Sequence, residues 1–216
     1  MKVCIDPGHG GKDRANVGVS GYVEADGNLK IAFLVAEFLK PYPVEVIFTR
    51  ILASKSLDLD DRCKIANDAK VDLFVSIHSN AHDIPEVRGT ETYHSINSVP
   101  GRGGQRLAVL VHCGVLACAG TEDHGIRSRA GDNGDYYGVI RGTNMPAVIV
   151  EVAYHSNPED EALLKTPEFR QKAARGIAQG IVAYLGLEWI DPKTAALQAR
   201  LDGIAELAGK INYLLD

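Results

Sequence analysis

Cysteine is scarce and unpatterned: the 216 residues hold four, Cys4, Cys63, Cys113 and Cys118, with no CxxC pair and no Cys/His zinc spacing. That excludes a disulfide scaffold and predicts reduced, mostly buried thiols made in a reducing compartment. Long hydrophobic runs are missing too. No stretch approaches the roughly 18 apolar residues of a membrane span, and the apolar part of Met1–Pro7 is far too short for a signal-peptide core. The chain is therefore expected to carry no export address of its own, although one trimmed from a longer precursor would look the same. There is no Lys/Arg run, and a net charge of -5 gives no global attraction to nucleic acid or anionic membrane. What remains, 45% hydrophobic and 24% charged residues, is an ordinary globular composition. The length suits one domain of about 150 to 200 residues with some appended structure.

What is present is an alternation of two apolar patterns. Val3–Asp6 reads as a short strand running into Pro7-Gly8-His9-Gly10-Gly11, a turn-forming cluster. Leu29, Ile31, Ala32, Leu34, Val35 and Leu39 recur at helical spacing, and Pro41 and Pro43 stop that helix. Val44–Thr49 predicts a strand, and Leu59–Ala69 a second helix presenting Arg62 and Asn67. Leu73–Ile77 is a near-continuous apolar run, as in a strand covered on both faces of a parallel sheet. Gly89–His94 alternates like an edge strand, and Gly104–Cys118 predicts a third helix. Gly120–Gly138, polar and glycine-rich, reads as a surface loop, and Val139–Arg141 as a brief strand. Ala147–Val152 is another buried strand, and Pro167–Leu185 a long closing helix.

This succession predicts a three-layer α/β/α domain over residues 1–189, with a mostly parallel sheet of five or six strands. Past Trp189, Asp191-Pro192 breaks the chain. Leu197, Leu201, Ile204, Ala208, Ile211 and Leu215 then recur in alternating four- and three-residue steps, so 190–216 reads as a helical tail. Three roles stay open for it: docking on its own domain, forming a homodimer, or linking to a further module.

Open α/β sheets bind ligands beyond the carboxyl ends of their strands. His9 follows the first strand, His78 the third, and Glu151 lies near the end of the last, so all three are expected at one edge. Glu24, in GYVEADGN, stands just ahead of the first helix. Two imidazoles and a carboxylate suit a catalytic zinc, and the fourth residue suits a base acting on its water. Each also has a plain structural reading. Glu24 could be a first-turn glutamate favoured by the helix dipole, with Asn28 capping the helix near Leu29. Glu151, costly to bury alone, could pair with Arg50, Arg62 or Arg141. Asp6 could accept the second N–H of His9 or simply cap its turn. Ser79 and Asn80 could hydrogen-bond nearby backbone or substrate.

Taken in order, VCIDPGHGGKD, GYVEADGNL, FTR, LDDRCKIAN, DLFVSIHSNA, GTETY and MPAVIVEVAYHSNPEDEALL resemble the zinc-dependent N-acetylmuramoyl-L-alanine amidases of the Amidase_3 type, from about Val3 to about Leu185. The resemblance implies a mainly parallel sheet flanked by helices. It also implies Zn2+ held by His9, Glu24 and His78, with Glu151 as the catalytic glutamate, and places Arg62 and Asn80 as supporting or substrate-contacting residues. The implied reaction is hydrolysis of the amide between N-acetylmuramic acid and L-alanine in peptidoglycan; the charge and the lack of a long apolar run predict no nucleic acid partner and no stable membrane insertion. The setting would be a phage endolysin released by lysis or through a pore, or a bacterial autolysin exported from a longer precursor. Two departures stand out. Lys12-Asp13-Arg14-Ala15 replaces the usual Asp-Pro-Gly-Ala, and Ser95–Gly103 has no room for the helix that blocks the zinc in some relatives. The rival readings are a non-catalytic wall-binding module and a zinc hydrolase of another substrate; HExxH, the commonest zinc-protease signature, is absent.

Overall fold

The computed structural model describes residues 1–97, 103–191, 194, 197 and 200–204. In chain order the elements are β1 (Lys2–Pro7), α1 (Glu24–Leu39), β2 (Glu45–Phe48), α2 (Leu59–Ala69), β3 (Leu73–Asn80), β4 (Thr90–His94) and α3 (Gln105–Ala119). They continue with β5 (Asp123–Ser128), β6 (Ala130–Gly131), β7 (Gly134–Asp135), α4 (Gly138–Gly142), β8 (Ala147–Tyr154), α5 (Pro158–Lys165) and α6 (Pro167–Tyr184). Six strands form one sheet in the order β2-β1-β3-β8-β4-β5. Its strands are parallel except at one seam, where β4 runs against β8.

Strand alternation sends successive side chains to opposite faces. On one face Val3, Ile5, Leu73, Val75, Ile77, Val148, Val150 and Val152 pack against α1, α3 and α6 in the larger core. On the other, Cys4, Phe74, Ala147 and Ile149 pack against Cys63 and Ala66 of α2 and Val139 and Ile140 of α4. Helices α3 and α6 touch backbone to backbone. A Cβ on Gly114 or Gly176 would overlap the main chain of the opposite helix, so the small residues set the spacing of that layer. Local signals fix the helix starts. Asp58 caps α2 by accepting from Asp61 N at 2.7 Å, and Asn157-Pro158 and Thr166-Pro167 open α5 and α6 with a side-chain cap followed by proline.

Several sequence expectations need correction. The first helix begins at Glu24 rather than near Leu29, and Asn28 lies inside it instead of capping it. The signal was hidden because Val23 occupies the cap position with no side-chain bond. Gly89–His94 does not form an edge: β4 is interior, and β5, inside the predicted surface loop Gly120–Gly138, covers its outer side. β5 has few apolar residues because an edge strand needs few. Val139–Arg141 is helical, part of α4. The thiols are all free, but only Cys4 and Cys63 are buried; Cys113 is exposed. Leu197, Leu201 and Ile204 of the tail are exposed, while Ala208, Ile211 and Leu215 lie outside the described residues.

Candidate metal and hydrolytic site

The site lies at the carboxyl edge of β1, β3 and β8. The turn after β1 carries His9 in a left-handed backbone conformation, φ 59°, which is unusual for a residue with a side chain. Two buried guanidinium groups hold that turn. Arg50 donates Nε to Pro7 O at 2.9 Å and Nη2 to Gly8 O at 2.8 Å; Arg62 donates to Pro7 O at 2.9 Å and His9 O at 2.8 Å. Gly8 is required by close approach, since a Cβ there would overlap the His78 ring.

Asp6 lies beneath the turn and does not touch His9. It accepts from Thr49 Oγ1 at 2.5 Å, Arg62 Nη1 at 2.6 Å and Ser76 Oγ at 2.6 Å. Burial alone would raise its pKa, but the adjacent Arg62 guanidinium and the two hydroxyls hold it below the usual carboxylate range. Arg62 and Asp6 thus form a brace under the turn. Arg50, buried and beside Arg62, has its pKa pushed down to about 10.

His9, Glu24 and His78 come together: one ligand atom from each lies within 4.8 Å of the others. Glu24 is 1% exposed. Its Oε1 faces His78 Nδ1 at 3.0 Å and accepts from Ser79 N and Asn28 Nδ2, both at 3.1 Å. Its Oε2 faces His9 Nε2 at 3.2 Å and accepts from Asn16 Nδ2 at 2.9 Å. Burial opposes the Glu24 charge, yet the two imidazoles hold its pKa well below the ordinary value. For His9, burial is outweighed by Glu24 and Asp13, and its pKa rises to about 9. Two buried-edge imidazoles and a carboxylate converging in this way form a donor set that a divalent transition ion fits.

Sequence reasoning missed two members of this network. Asp13 Oδ2 meets His9 Nδ1 at 2.8 Å, which orients the ring so that Nε2 faces inward, and Asn16 lies 3.1 Å from that Nε2. Asp13 sits in the departure from the usual motif, where only the shape of a loop was in question, and Asn16 directly follows it.

Glu151 is the direct partner of His78 in the β3–β8 register, so both project from the same face. It is 9% exposed, and its Oε2 has no hydrogen-bond partner. No ion pair with Arg50, Arg62 or Arg141 forms: the first two serve the turn and Asp6, and Arg141 donates to Asp135 O and Tyr136 O. Burial, then the charges of Glu24 and Glu91, push its pKa well above the ordinary value. Asn80 does not reach into this cluster; it donates to Glu91 Oε2 at 2.8 Å. A groove of about 610 Å³ opens over His9, His78 and Glu151, walled by Leu57, Leu59 and Tyr137.

Fold and cluster together define an α/β domain with a histidine–carboxylate metal-type site and a free carboxylate beside it. The chain belongs to the Amidase_3 family, N-acetylmuramoyl-L-alanine amidase, whose model matches residues 3–183. Among solved structures it is similar to the catalytic domain of CwlV, an N-acetylmuramoyl-L-alanine amidase from Bacillus (Paenibacillus) polymyxa var. colistinus. That likeness has 39% identity and a TM-score of 0.78, and covers 87% of this chain and 99% of that one. Among curated relatives it is 38% identical to the endolysin of Bacillus phage SPP1, over 86% of this chain and 66% of the relative. It is 35% identical to N-acetylmuramoyl-L-alanine amidase LytC of Bacillus subtilis, over 84% of this chain and 35% of the relative. The chain thus spans about a third of LytC and just under two thirds of the endolysin.

Proposed function

We propose that the chain is a zinc-dependent amidase that hydrolyses the bond between the lactyl group of N-acetylmuramic acid and L-alanine in peptidoglycan. The observation that carries this reading is Glu151, a buried carboxylate with an unpartnered oxygen, in register with His78 and at the floor of the groove. A module that only binds cell wall has no use for such a group.

His9, Glu24 and His78 would hold the ion. Zinc, when bound, supplies a Lewis acid that acidifies water and polarises the amide carbonyl. The remaining work falls to the chain. Glu151 accepts a proton from the attacking water and returns it to the departing nitrogen, acting first as base and then as acid. Its raised proton affinity suits both halves of that exchange. Asp13 fixes the ring of His9, and the Arg50–Arg62–Asp6 brace holds the turn that carries it. Leu57, Leu59 and Tyr137 offer the groove's apolar wall to sugar and stem peptide.

The catalytic unit is residues 1–189. Trp189 packs on the core beside Phe38 and Tyr42, which supports a boundary just beyond it. Residues 190–216 then act as a linker or self-association segment. The place of action is the bacterial cell wall, reached by phage-type release or by export within a longer precursor. Among the described residues no helix is long and apolar enough to cross a membrane. The test is mass spectrometry of muropeptides after digestion. Free stem peptides with new L-alanine amino termini are expected, abolished by a chelator and restored by zinc. Cleavage at any other bond, or activity indifferent to chelation, would overturn the reading.

A further inference from the structure

Glu151 has a carboxylate neighbour on its own level of the sheet. Glu91 of β4 is its direct partner across the antiparallel seam and is likewise buried, at 3% exposure. The two are dressed in opposite ways. Glu91 Oε2 accepts from Asn80 Nδ2 at 2.8 Å, Tyr93 Oη at 2.8 Å and Tyr154 Oη at 3.2 Å. Its Oε1 is ion-paired with Arg127 and lies 3.6 Å from His124 Nδ1. Glu151 Oε2 has no partner.

A buried carboxylate ordinarily draws in a cation. Arg50 and Arg62 are committed to the turn and Asp6, Arg141 to backbone carbonyls, and Arg129 stacks over the Tyr136 ring. Among the described residues, Arg127 is the guanidinium that meets Glu91; it is carried by β5, which pairs with β4 on the side away from β8. Glu91 stands between it and Glu151.

We propose that Glu91 is a positioning residue: by taking Arg127 for itself, it keeps a guanidinium off Glu151 and leaves that carboxylate free to receive a proton. A guanidinium seated on Glu151 would occupy the lone pairs that must accept the proton, which is the loss Glu91 prevents. A role confined to tying the edge strand to the sheet accounts for the Arg127 ion pair but not for the contrast between the two glutamates. The inference rests on the function proposed above.

A crystal structure of the Glu91→Gln protein tests it without substrate. Arg127 within about 4 Å of Glu151 is expected; Glu151 still unpartnered would overturn the proposal. Kinetics on peptidoglycan give the second arm. Glu91→Gln is expected to lower kcat about tenfold or more with KM nearly unchanged, Arg127→Gln to stay near wild type, and the double variant to regain most of the lost rate. An equal loss in both single variants, or no recovery in the double, assigns Glu91 a structural role instead. Wild-type protein that cuts no muramoyl amide would refute the function proposed above, while the crystallographic arm would still decide the arrangement of charges.

Discussion

Toward α1, α3 and α6, the strands β1, β3 and β8 present Val3 and Ile5, then Leu73, Val75 and Ile77, then Val148, Val150 and Val152, with no polar interruption. Toward α2 and α4 the same strands start apolar, with Cys4, Phe74, Ala147 and Ile149, and change character part-way along: Asp6 and Ser76 on β1 and β3, then His78 and Glu151 on β3 and β8. The first face buries everything it can and leaves nothing to react. The second closes its core at the amino end of the strands and gives up packing at the carboxyl end for a row of groups that must be held by specific partners. Stability and chemistry are thus divided by face and, on one face, by level.

The largest expected effect breaks that division at its sharpest point. Glu151→Gln should lower turnover on muropeptides by about 10²- to 10⁴-fold while leaving metal content unchanged. The same protein should unfold no earlier than wild type. The folded pKa of Glu151 lies above its unfolded value of about 4.3, so the folded state holds the extra proton and its stability falls as pH rises through that window. Glutamine removes this penalty. A lower melting temperature in calorimetry, or loss of metal, would place Glu151 among the structural residues instead.

Next comes the opposite face. Ile177→Ala, on α6 in the larger core and fully buried, should cost about 2 to 5 kcal/mol in chemical denaturation and leave kcat per folded molecule unchanged. A selective loss of turnover would mean that the two faces are coupled. A smaller effect is expected where the site meets solvent. Asp13→Ala should weaken zinc affinity about 10- to 100-fold in a chelator competition, with little change in stability because its side chain is largely exposed.

The mildest expectation is a pH slope. Without metal, the pKa of His9 is raised to about 9 from an ordinary 6.5. Its stabilising contribution is complete below about 6.5 and is lost as pH rises through about 9. An ion needs the neutral ring, so affinity should climb about tenfold per pH unit from neutrality to about pH 9 and then level off. Titration calorimetry showing a flat affinity across that range would remove the proton–metal competition.

His78 and Glu151 were legible because each interrupts an apolar run, and the ordered motifs around them carried the family resemblance. Their strands nevertheless continue past them, β3 to Asn80 and β8 to Tyr154. Other features left no trace in local pattern. β5 contains one strongly apolar residue, Ile126, because its outer side meets no strand. The start of α1 has Gly27 in its first turn, where the Tyr22 ring leaves no space for a Cβ, and the glycine masked the helix. Asp13 and Asn16 act only through the folded loop. Glu91 read as one polar member of an alternating strand, and its relation to Glu151 exists only in the register of the antiparallel seam.

The guanidinium-braced turn also sets an order of assembly. Pro7, Gly8 and His9 are fixed by Arg50, Arg62 and Asp6, all supplied by the chain. The turn that carries His9 is therefore shaped by hydrogen bonds the chain makes as it folds, so it is in place before substrate is met.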